Sequence, residues 1–209
     1  PDGLAASIEC AFLNGNQARI QLAADALGIG FAQGKTLFWR RDILDRAGGL
    51  RALGEDLAED VCATKLVRAR ARKVTLTPLP FPQPIGRRSI RAVWDRQLRW
   101  SRVRRDGFPR LFLAEALNTP VLPVLAVWAT LGPLMALALL CLLYAAEVAM
   151  LWICKWPRGP LDLLAMPIRD ALILPLWLVT FTARGFQWRG TDMAPTVEAK
   201  AANHALTAE

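Results

Sequence analysis

Two charged segments of the sequence carry side chains that could do chemistry. Glu59-Asp60 is an acidic step at the start of a predicted helix that continues through residues 61–68. Carboxylates in the first turn of a helix complement its dipole, which is the simplest explanation of the pair. The second segment, residues 87–110, holds nine arginines and two aspartates. Because arginine matches diphosphate geometry through its forked donors, part of this segment could hold a nucleotide diphosphate.

Side chains for several other chemistries are absent or badly spaced. The single histidine, His204, lies in a polar, Ala-rich tail, which excludes a histidine base, a histidine-paired nucleophile and a histidine metal site. The four cysteines show no metal-ligand spacing, and a reduced cytoplasmic environment fits them best. They are Cys10, Cys62, Cys141 and Cys154.

The elements that must position the acidic step follow an α/β pattern. Residues 3–28 predict an amphipathic helix that is interrupted at Asn14-Gly15-Asn16. Strand character is found in the second part of residues 31–41 and again in residues 73–79. We therefore expect mixed or parallel strands, in a segment too short to form a complete doubly wound domain.

The arginine-rich segment predicts an amphipathic helix. At 100° per residue its apolar side chains fall within one arc and its arginines on the opposite side. The apolar set is Ile90, Val93, Trp94, Leu98 and Trp100, and the basic set is Arg88, Arg91, Arg96, Arg99 and Arg102. Such a helix suits an anionic membrane surface, where tryptophans sit at headgroup depth. Nucleic-acid binding is the competing interpretation, and the adjoining apolar segments disfavour it.

Those apolar segments predict membrane helices. Residues 119–154 contain a single charged side chain, Glu147, and Gly132-Pro133 divides the run in two. A third apolar stretch, residues 161–183, contains Arg169-Asp170 and is expected to span, re-enter or lie in the interface, because a buried ion pair must be mutually satisfied. We expect two or three spans, and a soluble helical bundle is disfavoured.

Charge is distributed unevenly along the chain. Its formal net charge is +8, and residues 1–118 carry all of it, with 20 basic and 12 acidic side chains. Basic residues beside the first membrane segment favour the inside of a cell. We therefore expect a multi-pass protein of the inner, cytoplasmic membrane, with residues 1–118 facing the cytoplasm. The first residue is Pro1 rather than Met, so we expect the natural reading frame to start upstream.

The order of the motifs resembles a known enzyme group. Gly34-Lys35, Arg40-Arg41, Gly48-Gly49, Ala58-Glu59-Asp60 and Arg96-Gln97-Leu98-Arg99-Trp100 together resemble the distal half of lipid-directed, family 2-like glycosyltransferases with the GT-A fold. Within that group, residues 3–190 are most similar to the ceramide glucosyltransferase family and the related hopanoid-associated enzymes. Members carry a (Q/R)xxRW signature, which here begins with Arg96, since Gln97 is one residue out of register.

The resemblance implies a role for each site residue. Asp60 would be the general base that takes a proton from the acceptor hydroxyl as this attacks a UDP-sugar with inversion. Arg96 and Arg99 would stabilise the leaving UDP diphosphate. Trp100 would pack against the sugar or the acceptor, or anchor the helix in the interface. Lys35 would face the acceptor or cap a strand. Glu59 would complement the dipole of the helix that it starts, or support Asp60.

One departure from the family concerns metal. The family holds Mg²⁺ or Mn²⁺ on the diphosphate through an Asp-x-Asp motif, and no Asp-x-Asp occurs in this sequence. The chain therefore resembles the acceptor-side part and membrane anchor of a larger enzyme. We expect a partial GT-A domain in 1–86, interfacial helices in 87–118, membrane segments in 119–190 and a tail in 191–209.

The expected activity is transfer of a sugar from a UDP-sugar to a lipid. Glucose is the favoured sugar and ceramide the favoured lipid. A hopanoid or diacylglycerol acceptor is the alternative within the same fold. A non-catalytic, membrane-anchored fragment or scaffold is the alternative from another class, and alone the chain is expected to be inactive.

Overall fold

Helices make up most of the chain that the computed structural model describes, namely residues 1–34, 36–54, 58–77, 81–188 and 191–193. The α-helices are α1 (Leu4–Cys10), α2 (Arg19–Ala26), α3 (Arg41–Arg46), α4 (Gly49–Ala52), α5 (Glu59–Arg68), α6 (Ile90–Gly107), α7 (Pro109–Leu113), α8 (Val121–Leu131), α9 (Pro133–Ile153) and α10 (Pro160–Thr180). A π-helix, Ala11–Ala18, joins α1 to α2, and a 3-10 helix, Ala114–Asn118, follows α7. Two short strands, β1 (Phe186–Trp188) and β2 (Thr191–Met193), pair antiparallel.

The chain divides into two compact units. Unit 1 comprises residues 1–20, 81–98 and 110–179, and unit 2 comprises residues 21–80, 99–109 and 180–209. Helix α6 therefore contributes its first half to unit 1 and its second half to unit 2.

The predicted interruption of the first helix at residues 14–16 is wrong. The helix instead widens into the π-helix Ala11–Ala18 and continues into α2. At Gly15 the backbone approaches Glu147 and Arg169 so closely that an added Cβ would collide with both side chains. π-helical turns are rare and occur mostly as bulges inside α-helices. Glycine is therefore needed here for close approach rather than as a helix break.

The strands predicted in residues 31–41 and 73–79 are not formed in the described part of those segments. Their backbone groups bond to side chains instead of to another strand. Ala32 N donates to Thr64 Oγ1 at 2.9 Å, and Leu76 N donates to Asp25 Oδ1 at 3.2 Å. An extended segment becomes a strand only when a second strand pairs with it. The α/β character of the described chain is thus limited to the β1–β2 pair.

The core of unit 1 joins the N-terminal helix, α6 and α10. Its buried members are Ile8, Ala11, Phe12, Val93, Ala165, Ile173 and Leu176. Trp94 and Leu98 pack against this cluster, as the predicted apolar arc of α6 requires. Ile90 does not, since it is 54% exposed. The predicted apolar arc is therefore too wide at its start, where α6 begins with the exposed Ile90.

The predicted membrane segments form apolar helices. Helices α9 and α10 are each 21 residues long and apolar enough to cross a membrane. The pair Pro109–Asn118 and Val121–Leu131 passes the same test jointly but is bent by 58°. Two helices, or three spans if the bent pair counts as one, match the expected number. Gly132, with φ of 88°, separates α8 from α9 as the sequence indicates.

A cluster of charged side chains joins α9 to α10 inside unit 1. Arg169 Nη2 donates to Glu147 Oε2 at 2.9 Å and to Asp170 Oδ1 at 2.8 Å, and Arg169 Nη1 also bonds Glu147 Oε1. Tyr144 donates its hydroxyl to Asp170 Oδ2 at 3.0 Å. The Arg169 side chain is only 1% exposed. The sequence predicts that Arg169 and Asp170 must satisfy each other's charge. In the structure they do so together with a third charged side chain, Glu147.

Candidate active site

The acidic step lies where the sequence places it, in the first turn of α5. Asp60 Oδ2 accepts a hydrogen bond from Gly34 N at 3.0 Å, and Oδ1 accepts one from Val61 N at 2.8 Å. Thr64, one turn later, donates to the Asp60 carbonyl at 2.9 Å and accepts from Ala32 N. The start of α5 thus fixes the backbone at Ala32 and Gly34, and the Gly34 amide in turn fixes the Asp60 carboxylate.

The surroundings of Asp60 favour its protonated form more than water does. Burial raises the pKa of Asp60, the Val61 and Gly34 amides oppose that rise, and the neighbouring Glu59 adds to it. Within the described part of the chain, no lysine or arginine forms an ion pair with Asp60. A half-buried carboxylate held by backbone amides and raised in pKa is suited to accept a proton.

Gly34 is required by the closeness of the two acids. A Cβ at this position would collide with Glu59 Oε1 and would lie 3.5 Å from Asp60 Oδ2. Glu59 is exposed, in keeping with a supporting role beside Asp60. The next residue, Lys35, belongs to the predicted site and lies outside the described residues.

Arg96 is held by a residue that the sequence analysis missed. Its Nη1 pairs with Glu9 Oε1, while Arg88 Nε lies 3.2 Å from Glu9 Oε2. The Glu9 side chain is fully buried, whereas those of Arg88 and Arg96 are 32% and 30% exposed. A glutamate beside Ile8 on the apolar side of the first helix is the signal that could have revealed this pairing. Arg96 therefore does not lie on a purely solvated basic face.

The rest of the signature belongs to unit 2 together with Glu59 and Asp60. Arg99 and Trp100 are half-buried and in contact with other residues. Near the end of α6, the close approach of Gly107 to Val61 shows that this helix packs against the start of α5. Lys65 and Arg68 lie over the Phe108 ring at 6.0 and 5.9 Å. Within unit 2, α5, the end of α6 and the Gly34 segment thus form one packed group.

The described residues do not form the metal site that the resemblance implies. They contain no group of three or more His, Cys, Asp or Glu side chains placed to hold an ion. In the acidic step, both carboxylate oxygens of Asp60 already accept backbone N–H groups.

Comparison with known proteins gives the family. The model of Glycosyl transferase family 21 matches residues 1–201. The chain belongs to Glycosyl transferase family 21. It is 28% identical over 116 residues to Ceramide glucosyltransferase 1 of Caenorhabditis elegans, a match covering 56% of this chain and 25% of that protein. It is 26% identical over 117 residues to Ceramide glucosyltransferase 3 of the same organism, covering 56% of this chain and 26% of that protein.

These matches confirm the predicted resemblance to the ceramide glucosyltransferase family. The aligned part spans about a quarter of the length of these two relatives. No solved structure matches the chain significantly. The chain therefore belongs to a glycosyltransferase family, and two of its helices are long and apolar enough to cross a membrane.

Proposed function

We propose that this glycosyltransferase transfers glucose from UDP-glucose to ceramide, with inversion at the anomeric carbon. The observation that carries the proposal is the Asp60 carboxylate, held by two backbone amides with its pKa raised by burial. The similarity to two nematode ceramide glucosyltransferases supports ceramide as the acceptor. We also propose that part of the chain adopts the GT-A fold that the resemblance implies.

In the proposed reaction, the acceptor hydroxyl attacks the anomeric carbon while Asp60 takes its proton. The glycosidic bond forms as the bond from the anomeric carbon to the UDP oxygen breaks, so the diphosphate gains negative charge. Arg96 and Arg99 stabilise that charge, because their interaction with UDP strengthens as the bond breaks. Trp100 packs against the sugar or the acceptor, Glu59 supports Asp60, and binding of the acceptor is the role proposed for Lys35.

The experiment uses membranes from cells that make the protein at its natural length. Radiolabelled UDP-glucose is supplied with ceramide, diacylglycerol or a hopanoid, and the product lipids are separated. Labelled glucosylceramide supports the proposal. A labelled diacylglycerol or hopanoid product would show that this lipid, and not ceramide, is the acceptor. Absence of transfer from any UDP-sugar would favour the scaffold interpretation.

The proposal also places the site on the cytoplasmic side of the inner membrane, because UDP-sugars are cytoplasmic. The basic residues between Arg99 and Arg110, beside the apolar helices, support this orientation. An exposed position on α6, Ala92→Cys, tests it. An impermeant maleimide is expected to label this cysteine only in permeabilised cells, and labelling of intact spheroplasts would overturn the orientation.

A further inference from the structure

Helix α10 has two unlike faces along its whole length. One face is buried and carries Ala165, Met166, Arg169, Asp170, Ile173 and Leu176. The other is exposed and uncharged, with Leu161, Leu164, Pro167, Ala171, Pro175 and Leu178. The two charged side chains in the middle of α10 therefore point into the protein, and only apolar side chains are presented outward. This face suits lipid, but its depth in the membrane depends on what packs on the other face.

The first turn of α10 lies beside charged and polar groups. The loop that precedes it carries Lys155 and Arg158, and the Arg158 guanidinium lies 4.1 Å from the centre of the Trp152 ring. Asp162 accepts hydrogen bonds from Ser7 Oγ at 2.7 Å and from Gly159 N at 2.9 Å. Tryptophan and basic side chains together are typical of the headgroup region. This end of α10 is therefore at the water boundary.

The later part of α10 is also close to water. Ile173 and Leu176 belong to the same buried cluster as Val93 of α6. Val93 is flanked on α6 by Arg91 and Asp95, whose side chains are 90% and 62% exposed. Charged side chains inside hydrocarbon are costly, so this part of α6 must lie outside it. Ile173 and Leu176, which share this buried cluster with Val93, are consequently near the membrane surface too.

These two contacts are incompatible with a crossing helix. Asp162 and Leu176 are separated by about 21 Å along α10, at 1.5 Å per residue. The hydrocarbon core is about 30 Å thick, and a helix perpendicular to it would place one of these positions deep inside. We infer that α10 lies in the membrane interface, parallel to the surface, with its leucine face in the boundary between headgroups and acyl chains.

With α10 in the interface, fewer helices enter the membrane. The inserted part is then the hairpin of α8 and α9, which pack closely together and are joined at Gly132. A hairpin that enters and returns brings the Lys155–Arg158 loop back to the face that holds the start of α6. The Glu147–Arg169 pair fastens the returning helix to α10 at that face. Although α10 has the length and hydropathy of a span, the structure assigns it to a lipid surface.

Cysteine labelling separates the two topologies. Three exposed positions are changed singly in the full protein: Ala92→Cys on α6, Gly159→Cys before α10 and Ala183→Cys after it. An impermeant maleimide is applied to sealed vesicles of each orientation, and mass spectrometry of the labelled peptides identifies the site among the natural cysteines. All three are expected to react from the same face. Gly159→Cys and Ala183→Cys reacting from opposite faces, or Gly159→Cys reacting from neither, would overturn the inference.

The depth of α10 gives a second test that does not depend on sidedness. Single cysteines at Leu164, Ala171 and Leu178, all on the exposed face, are labelled with a fluorophore and quenched by lipids carrying nitroxides at defined depths. Equal, shallow depths are expected at the three positions. A crossing helix would place Ala171 about 10 Å deeper than the other two. That result, or absence of quenching because a second copy of the chain covers the face, would overturn the inference.

Discussion

The Asp60 site and the Arg169 cluster hold their carboxylates in different ways. In the Arg169 cluster, Glu147 and Asp170 share one guanidinium, and Tyr144 bonds the remaining oxygen of Asp170. In the Asp60 site, two backbone amides are the donors and no cationic side chain in the described part of the chain pairs with the carboxylate. A carboxylate saturated by a fixed cation is a poor proton acceptor, whereas one held by amides remains available. The first arrangement therefore supports the fold, and the second supports chemistry.

Asp60→Asn is expected to give the largest change in activity. Loss of a positioned general base typically costs about 10²–10⁴-fold in rate. The substitution keeps the side-chain shape but replaces one accepting oxygen with an NH2 group facing a backbone N–H, so the free energy of unfolding should also fall by about 1–3 kcal/mol. The measurements are kcat for sugar transfer and thermal unfolding in lipid nanodiscs. Glu59→Gln is the matched control and should retain most activity.

The pH dependence of the same pair of variants sharpens this prediction. Asp60 must be ionised to act as a base, and its raised pKa moves the acidic limb of kcat/KM above the range of an ordinary aspartate. Ionised Asp60 costs the fold stability as pH rises through this raised pKa, so acidification towards it should not destabilise the site. A limb that persists unchanged in Asp60→Asn would assign the base to another group.

Arg169→Leu is expected to give the largest change in stability. The substitution strands Glu147 and Asp170 without their cation, and breaking a buried ion pair by removing one partner costs about 3–5 kcal/mol. Thermal unfolding in nanodiscs should fall sharply, together with the amount of protein in membranes. Arg158→Leu removes an exposed arginine and is the control. If both variants unfold at the wild-type temperature, the cluster does not support the fold.

Glu9→Gln is expected to be intermediate, because its two arginines are about one-third exposed and can recover water. The stability cost should be about 1–3 kcal/mol, below that of Arg169→Leu. Loosening Arg96 should also lower kcat more than it raises the KM for UDP-glucose, since charge on the diphosphate grows in the transition state. Glu9→Asp should recover part of the loss. A purely structural role would lower the amount of folded protein and leave kcat per folded molecule unchanged.

Tyr144→Phe is expected to have the smallest effect in the charged cluster. It removes one hydrogen bond to Asp170 while Arg169 still bonds the same carboxylate. A hydrogen bond to a charged group contributes about 1.5–3 kcal/mol, and the remaining partners make the lower end the expectation. Thermal unfolding measures the loss, with Leu142→Ala on the exposed side of α9 as control. A loss as large as that of Arg169→Leu would contradict the ranking of partners.

The sequence by itself determined the local features of this protein. The helix that starts at Glu59-Asp60, the helix that carries Arg96, and the division of the apolar run at Gly132 follow from local chemistry. Acidic residues favour a helix start, periodic apolar residues favour one helix face, and Gly-Pro divides a helix. The family resemblance depended on the same local motifs.

Only the tertiary structure decided which distant residues form hydrogen bonds and ion pairs with one another. The predicted strands need a second strand, and in the described chain their backbone groups meet the side chains of Thr64 and Asp25 instead. Glu9 reaches Arg96 across 87 positions, and Ser7 reaches Asp162 across 155. Hydropathy measures how apolar α10 is but cannot register that one of its faces packs against a charged helix. Long-range contacts carry no signal in local sequence, because they depend on which surfaces the folded chain brings together.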